Sequence, residues 1–443
     1  MVTLTFYGGV NEIGGNKFLI EDGDTKIFLD HGQSFSFGEE FSTGWLSPRG
    51  RFGLRDHFAL NLIPKIKGLY SEASLAPTDY PYVDPEFQGV FISHIHYDHN
   101  AHIRYLDEGI PIYLGETTKR MLDSWETTGT GRYGEHDYRT FKTGKNQVID
   151  DIEVEPVHVD HSTPAAYGFI VHTSEGAVVY TGDFRLHGPK AKMTREFIKK
   201  AKDAEPIAMI CEGTRVAPEE VRKPFSEQGV HDYADRVIKA TEDLVITSFY
   251  PRDVDRMKTY HTLAKANNRK FVVSSRVAHL LLSLKDDPGI KVPDPINDDN
   301  MLIYCRELKR PPKWEKEFYD ICVRSDYIHE HQDELIMHLD FTHFTELIDI
   351  KPNPGSQFIH SMSEPFEEND IEDDVKHTWL DYFGFKFHQA HASGHCSKEE
   401  IFEVINEINP KNVFPVHTEH PEMFKDNVKA GVILPKIDKE FKI

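Results

Sequence analysis

Four candidate metal donors fall within six residues in the stretch 91–102, FISHIHYDHNAH, where His94, His96, Asp98 and His99 follow the apolar run 90–92. The run reads as a buried strand that ends at the donors. Extended backbone would place 94, 96 and 98 on one face and turn His99 the other way, so this one segment could serve two adjacent cations. Nitrogen and oxygen donors without thiolate suit zinc or manganese, and a coordination position left to water is what a hydrolytic centre requires.

Further donors recur along the chain at strand ends. The alternating VEPVHVDH delivers His161 to the end of a predicted strand, with His158 and Asp160 as rivals. In TGDFR, Asp183 follows a strand over 177–180, and Gly182 permits close backbone approach. Asp30 and His31 follow a third early strand, where Asp30 is either an orienting acid or a turn residue. A predicted strand over 207–211 ends at Glu212. QAHASGHCSKEE sets His391, Ser393, Gly394 and His395 ahead of a helix whose Ser397 and Glu400 form a capping-box pattern, an anion site suited to phosphate. A strand in NVFPVHTEH ends in His417, with His420 behind it, and His102 reads as a bystander.

HIHYDH resembles the HxHxDH signature of the metallo-β-lactamase superfamily. The order HxHxDH, His161, Asp183, Glu212, an HxSGH-like segment and PVH resembles its β-CASP nucleic-acid-cleaving branch, ribonuclease J in particular, over nearly the whole chain. The resemblance implies an α/β fold, the four-layered αβ/βα sandwich, with a parallel α/β cap inserted. It implies two divalent cations, Zn2+ foremost with Mn2+ or Mg2+ as substitutes. His94, His96 and His161 would bind one, Asp98, His99 and His417 the other, and Asp183 would bridge them. It assigns catalytic roles to Asp98, His395 and Glu212, and phosphate binding to His391, Ser393 and Gly394. Two departures stand out: Ala165 and Ala166 replace an acid common after the third motif, and PVHTEH replaces PVHGE.

The remaining elements must carry these residues. At 443 residues, 39% apolar and 12% aromatic, two domains are expected. An early meander of short strands precedes the metal motif. The segment 33–86 reads as a lid or wall beside it. From about residue 190 helix and strand alternate as in a parallel α/β unit, with a helix over 194–203 capped by Thr194. The expected division is 1–200 and 381–443 for the lactamase fold and 201–380 for the cap.

No apolar run approaches membrane-span length and the N-terminus reads as a strand, so a cytoplasmic protein without membrane contact is expected. Cys211, Cys305, Cys322 and Cys396 lack CxxC spacing and read as reduced. The net charge of −22 argues against a general polyanion-binding surface. A local basic cleft of Arg252, Arg256, Lys258 and Arg276 would reconcile it with RNA, while the acidic run 367–374 reads as solvated surface. The expected function is a 5′-to-3′ exoribonuclease on single-stranded RNA bearing a 5′-monophosphate. The competing readings are an endoribonuclease of the pre-mRNA 3′-end processing type, a small-molecule metallohydrolase and a nonhydrolytic scaffold. By the same resemblance the chain forms a homodimer.

Overall fold

The computed structural model describes residues 1–43, 45–219, 225–363 and 370–443. Strands β1 (Val2–Gly8), β2 (Lys17–Asp22), β3 (Thr25–Leu29), β4 (Gly89–Ile92), β5 (Ile112–Gly115) and β6 (Tyr138–Phe141) form the first sheet in that order. The second runs through β7 (Gln147–Ile149), β8 (Ile152–Val159), β9 (Ala166–Thr173), β10 (Gly176–Tyr180) and β11 (Ala208–Glu212). A third, wholly parallel sheet contains β12 (Val245–Ser248), β13 (Lys270–Ser274), β14 (Met301–Tyr304), β15 (Leu335–His338), β16 (Gln357–His360) and β17 (Lys386–Gln389), in the order β14-β13-β15-β12-β16-β17. The chain then returns: β18 (Asn412–Val416) and β19 (Gly431–Val432) extend the second sheet beyond β11, and β20 (Glu440–Lys442) pairs antiparallel with β1.

Alternation along the strands sorts side chains into layers. Phe6, Phe18, Phe91, Phe169, Tyr180 and Phe414 meet between the first two sheets, while helices Ala191–Asp203 and Lys398–Ile408 cover the outer face of the second. Segment 54–106 and helix Glu116–Thr127 cover the first sheet, and their apolar cluster continues into the third sheet's helices. These are the four layers of the αβ/βα sandwich with an inserted α/β unit.

Sheet pairing draws the insertion differently from the expected 201–380. β11 lies inside that range but pairs with β10 and β18, and β17 lies beyond it but pairs with β16. A strand pairs where its backbone ladder is complete, and texture alone does not locate that. The segment 33–86 is largely a packed wall, burying Leu54, Phe58, Leu69 and Tyr70; among its described residues Phe35 lines the cleft. Helix Ala191–Asp203 starts earlier than expected, and Thr194 is no cap: its hydroxyl donates to the Arg185 carbonyl and accepts from the Asp160 amide. In the acidic run 367–374, residues 367–369 lie outside the described residues.

Candidate metal centre

Strand ends deliver the donors, as expected, but the HxHxDH geometry is not extended throughout. β4 stops at Ile92, and Asp98 and His99 lie on the single helical turn Tyr97–Asn100. That turn divides the motif between two groups. In one, the ligand atoms of His94, His96, His161 and Asp183 lie within 4.8 Å of one another, and the same span holds Asp98, His99, Asp183 and His417. Asp183 is common to both. Its Oδ2 lies 3.5 Å from His94 Nε2, 3.1 Å from His99 Nε2, 3.9 Å from His161 Nε2 and 3.7 Å from His417 Nε2. Its Oδ1 is buried with no hydrogen-bond partner.

Oxygen partners behind the imidazoles orient them, as ligating histidines require. His99 Nδ1 meets Asp30 Oδ2 at 2.7 Å, His161 Nδ1 the Gly394 carbonyl at 2.6 Å, His417 Nδ1 the Thr214 hydroxyl at 3.0 Å and His94 Nδ1 the Ser93 hydroxyl at 3.0 Å. Asp30 is the orienting acid of its two readings. It also accepts from the Ser93 amide and hydroxyl and from Tyr180 Oη, at a φ of 60° that Asp tolerates. The rivals of His161 are engaged elsewhere: His158 bonds Thr143 and Asp160 pairs with Arg185. His102 is buried against Gln33 and His420 lies beside Glu422, both outside the donor groups.

Charge divides the cluster. Burial drives His94, His96 and His161 toward the neutral, ligating form, His96 down to about 4. At His99 burial is outweighed by Asp183, Asp98 and Asp30, which hold the imidazolium well above its ordinary range; at His417 Asp183 and Asp98 raise it to about 9. Burial alone would raise Asp98 and Asp183, yet His99 and His417 hold both well below the usual carboxylate range. Buried carboxylates that recruit positive charge, an orphaned carboxylate oxygen and convergent imidazoles together fit divalent cations.

Glu212 and His395 complete the front of the site. Glu212 is buried, accepts from the Phe184 amide and the Thr214 hydroxyl, and meets His395 Nδ1 at 3.0 Å. Its contacts make it a positioning residue for His395, not a group that reaches the cleft. His391, Ser393, Gly394 and His395 line one cavity of about 370 Å³ together with Asp98, Asp183 and His417. A Cβ at Gly394 would stand 2.8 Å from the His161 ring, so only glycine fits there. Burial and then Arg256 lower His391 to about 3, and its Nδ1 faces the Ser361 carbonyl at 3.1 Å. His391 is therefore neutral at physiological pH.

Behind this segment lies a buried ionic network that the sequence does not disclose. Arg185 donates to Asp160, to Glu227 Oε1 at 2.7 Å and to the Ser393 carbonyl at 3.3 Å. Arg256 donates to both Glu227 oxygens and to the carbonyls of Ser361 and Ala392. Two fully buried guanidiniums thus hold the 391–394 backbone in place.

The expected basic cleft is corrected here. Arg256 is buried in this network, Lys258 pairs with Asp255, and Arg276 faces a different cavity. Of the four, Arg252 lines the cleft, donating to the Ile95 carbonyl at 2.7 Å with its guanidinium 4.7 Å from the Trp125 ring centre. The walls are instead aromatic: Phe35, Tyr97, Trp125, Phe225 and Tyr250. Of these, Phe35 lies in the segment 33–86 that the sequence marks as a lid or wall.

Asp253 caps helix Val254–Ala266, accepting from the Arg256 amide, and burial pushes its carboxyl up to about 7, against the pull of Arg256 and with Glu227 reinforcing it. The folded chain holds this proton more tightly than the unfolded one, whose value is about 3.9. The stabilisation is therefore complete below about pH 4 and is lost as pH rises through about 7. Asp253→Asn keeps the cap, so its thermal midpoint should gain on the unsubstituted chain from about pH 5 to pH 8. A difference that stays constant with pH would contradict this assignment.

Residues 66–251 match the Beta-lactamase superfamily domain, and residues 385–431 the Zn-dependent metallo-hydrolase RNA specificity domain. The chain is 23% identical over 440 residues to a ribonuclease J of Helicobacter pylori, covering 95% of this chain and 56% of that protein. It is 26% identical over 361 residues to the ribonuclease J of Pyrococcus abyssi, 77% of each. Over residues 66–251 the chain is similar to the β-lactamase superfamily, and over most of its length to ribonuclease J. A crystal structure of a protein of unknown function from Enterococcus faecalis V583 superimposes on this chain with a TM-score of 0.79 at 25% identity, covering 99% of both chains. The ribonuclease J-like chain spans little more than half the length of the H. pylori proteins. No helix among the described residues is long and apolar enough to cross a membrane.

Proposed function

We propose that the chain is a metal-dependent ribonuclease that hydrolyses single-stranded RNA from a 5′-monophosphate end. The observation that carries the reading is that the Ser393–Gly394 segment, braced by two buried arginines, opens into the same cleft as both donor groups. His94, His96, His161 and Asp183 would hold one cation, and Asp98, His99, His417 and Asp183 the other, with zinc favoured by the imidazole-rich donors. When bound, such cations lower the pKa of water and offset charge on the attacked phosphodiester. His395, held at Nδ1 by Glu212, lines the cleft, and its other ring nitrogen would protonate the leaving oxygen. The Ser393 hydroxyl donates to the terminal phosphate, and the aromatic walls stack bases without selecting sequence.

The test is a time course on 5′-monophosphorylated, end-labelled RNA beside its 5′-triphosphate and circular forms, with Zn2+ or Mn2+. Mononucleotides from the 5′ end with circles spared are expected. Cut circles would replace the reading with an endonuclease, and no metal-dependent cleavage of any form would exclude RNA as substrate.

A further inference from the structure

A second cavity opens at the carboxyl ends of β14, β13 and β15, adjacent strands of the inserted sheet. This is the edge at which parallel α/β sheets bind ligands. Arg276 and Arg306 both line it, with His343. Among the described residues neither arginine side chain forms an ion pair or a hydrogen bond, and Arg276 Nε is buried without a partner. Burial first and then Arg306 depress the Arg276 guanidinium, so the two cations stand close enough to repel. Burial and the same two arginines also lower His343.

Two guanidiniums on one cavity wall, neither in a direct ion pair among the described residues, favour an anion between them. Glu315 and Asp340 also line the cavity and offset Arg276 in part, but neither pairs with an arginine directly: Glu315 accepts from the Ser275 hydroxyl and Asp340 pairs with His338. Arginine forks match phosphate oxygens in bidentate geometry. The cavity, about 70 Å³, has room for several waters or one phosphate group but not for a nucleoside. Trp314, on its rim, offers a face on which a base outside the cavity could stack. Pro251 lines both this cavity and the metal cleft, so a single strand crossing the Tyr250–Arg252 turn meets both.

We propose that Arg276 and Arg306 form a second phosphate subsite that grips the backbone of the RNA strand away from the scissile bond. The inference rests on the ribonuclease reading and adds to it a length-dependent grip. Free phosphate shares the same chemistry, and the experiment separates the two sources. Hydrolysis of 5′-monophosphorylated oligonucleotides of graded length is measured on the metal-loaded full chain, its Arg276→Ala/Arg306→Ala variant and the Arg276→Lys/Arg306→Lys variant.

The alanine pair should leave the shortest substrates unchanged and raise KM for long ones about tenfold, lowering the salt slope by about 0.7 for each lost phosphate contact. The lysine pair should restore most of the long-chain KM. Equal effects on short and long substrates, or none on either, would overturn the subsite. So would relief of long-RNA binding by inorganic phosphate without any length dependence, which would mark a free-phosphate site. Unchanged thermal midpoints show that the variants fold. If the unsubstituted chain cleaves no RNA at any length, the ribonuclease reading itself has failed, an outcome distinct from cleavage that ignores both arginines.

Discussion

Asp183→Ala should all but abolish metal-dependent hydrolysis while leaving the chain folded. Asp183 Oδ2 stands within 3.9 Å of four ligating imidazoles, and its carboxylate is the donor common to both groups. Its removal takes away the one donor that both groups share. Metal catalysis contributes several kcal/mol of transition-state stabilisation, so the expected loss is about a thousandfold or more in rate. Metal content measured on the purified variant should fall in parallel. Full activity with a full metal complement would remove Asp183 from the centre.

Glu227→Ala should be the most destabilising single change near the site. Glu227 is the carboxylate shared by Arg185 and Arg256, both with no exposed side-chain surface, and truncating it strands two buried cations. Breaking a buried pair in this way costs about 3–5 kcal/mol, read as a fall in denaturant midpoint. Asp160 and Asp253 remain beside the arginines and set the lower end of that range. The same variant should raise KM for 5′-monophosphorylated RNA, since the carbonyls of Ala392 and Ser393 lose their anchors. A midpoint within about 0.5 kcal/mol of the parent, the scatter of neutral surface changes, would deny the network its bracing role.

Sequence disclosed the donors better than their supports, for a physical reason. Each of His94, His161, Asp183 and His417 closes a short apolar strand, a local pattern that needs no partner to be read. The bracing partners are distant: Arg185 reaches Glu227 and Ser393, 42 and 208 positions away, and nothing local marks them. Arg256 looked like cleft surface because a charge is ordinarily solvated. On its helix it falls with Met257 and Tyr260 on the buried face, and only tertiary pairing makes that tolerable. Two strands of the inserted sheet were obscured in a similar way. LIMH of β15 is four residues between helical turns, too short for a period, and KFHQ of β17 is a polar edge strand.

His417 follows the whole inserted sheet in the chain, yet its Nε2 lies 2.8 Å from Asp98, 319 positions earlier. During synthesis the amino-terminal half can collapse and present His94, His96, His161 and Asp183 while the ribosome is still making the insertion. The second donor group closes only when β18 docks beside β11, a late and entropically expensive loop closure. The two donor groups are thus completed at different times, the one that holds His417 last.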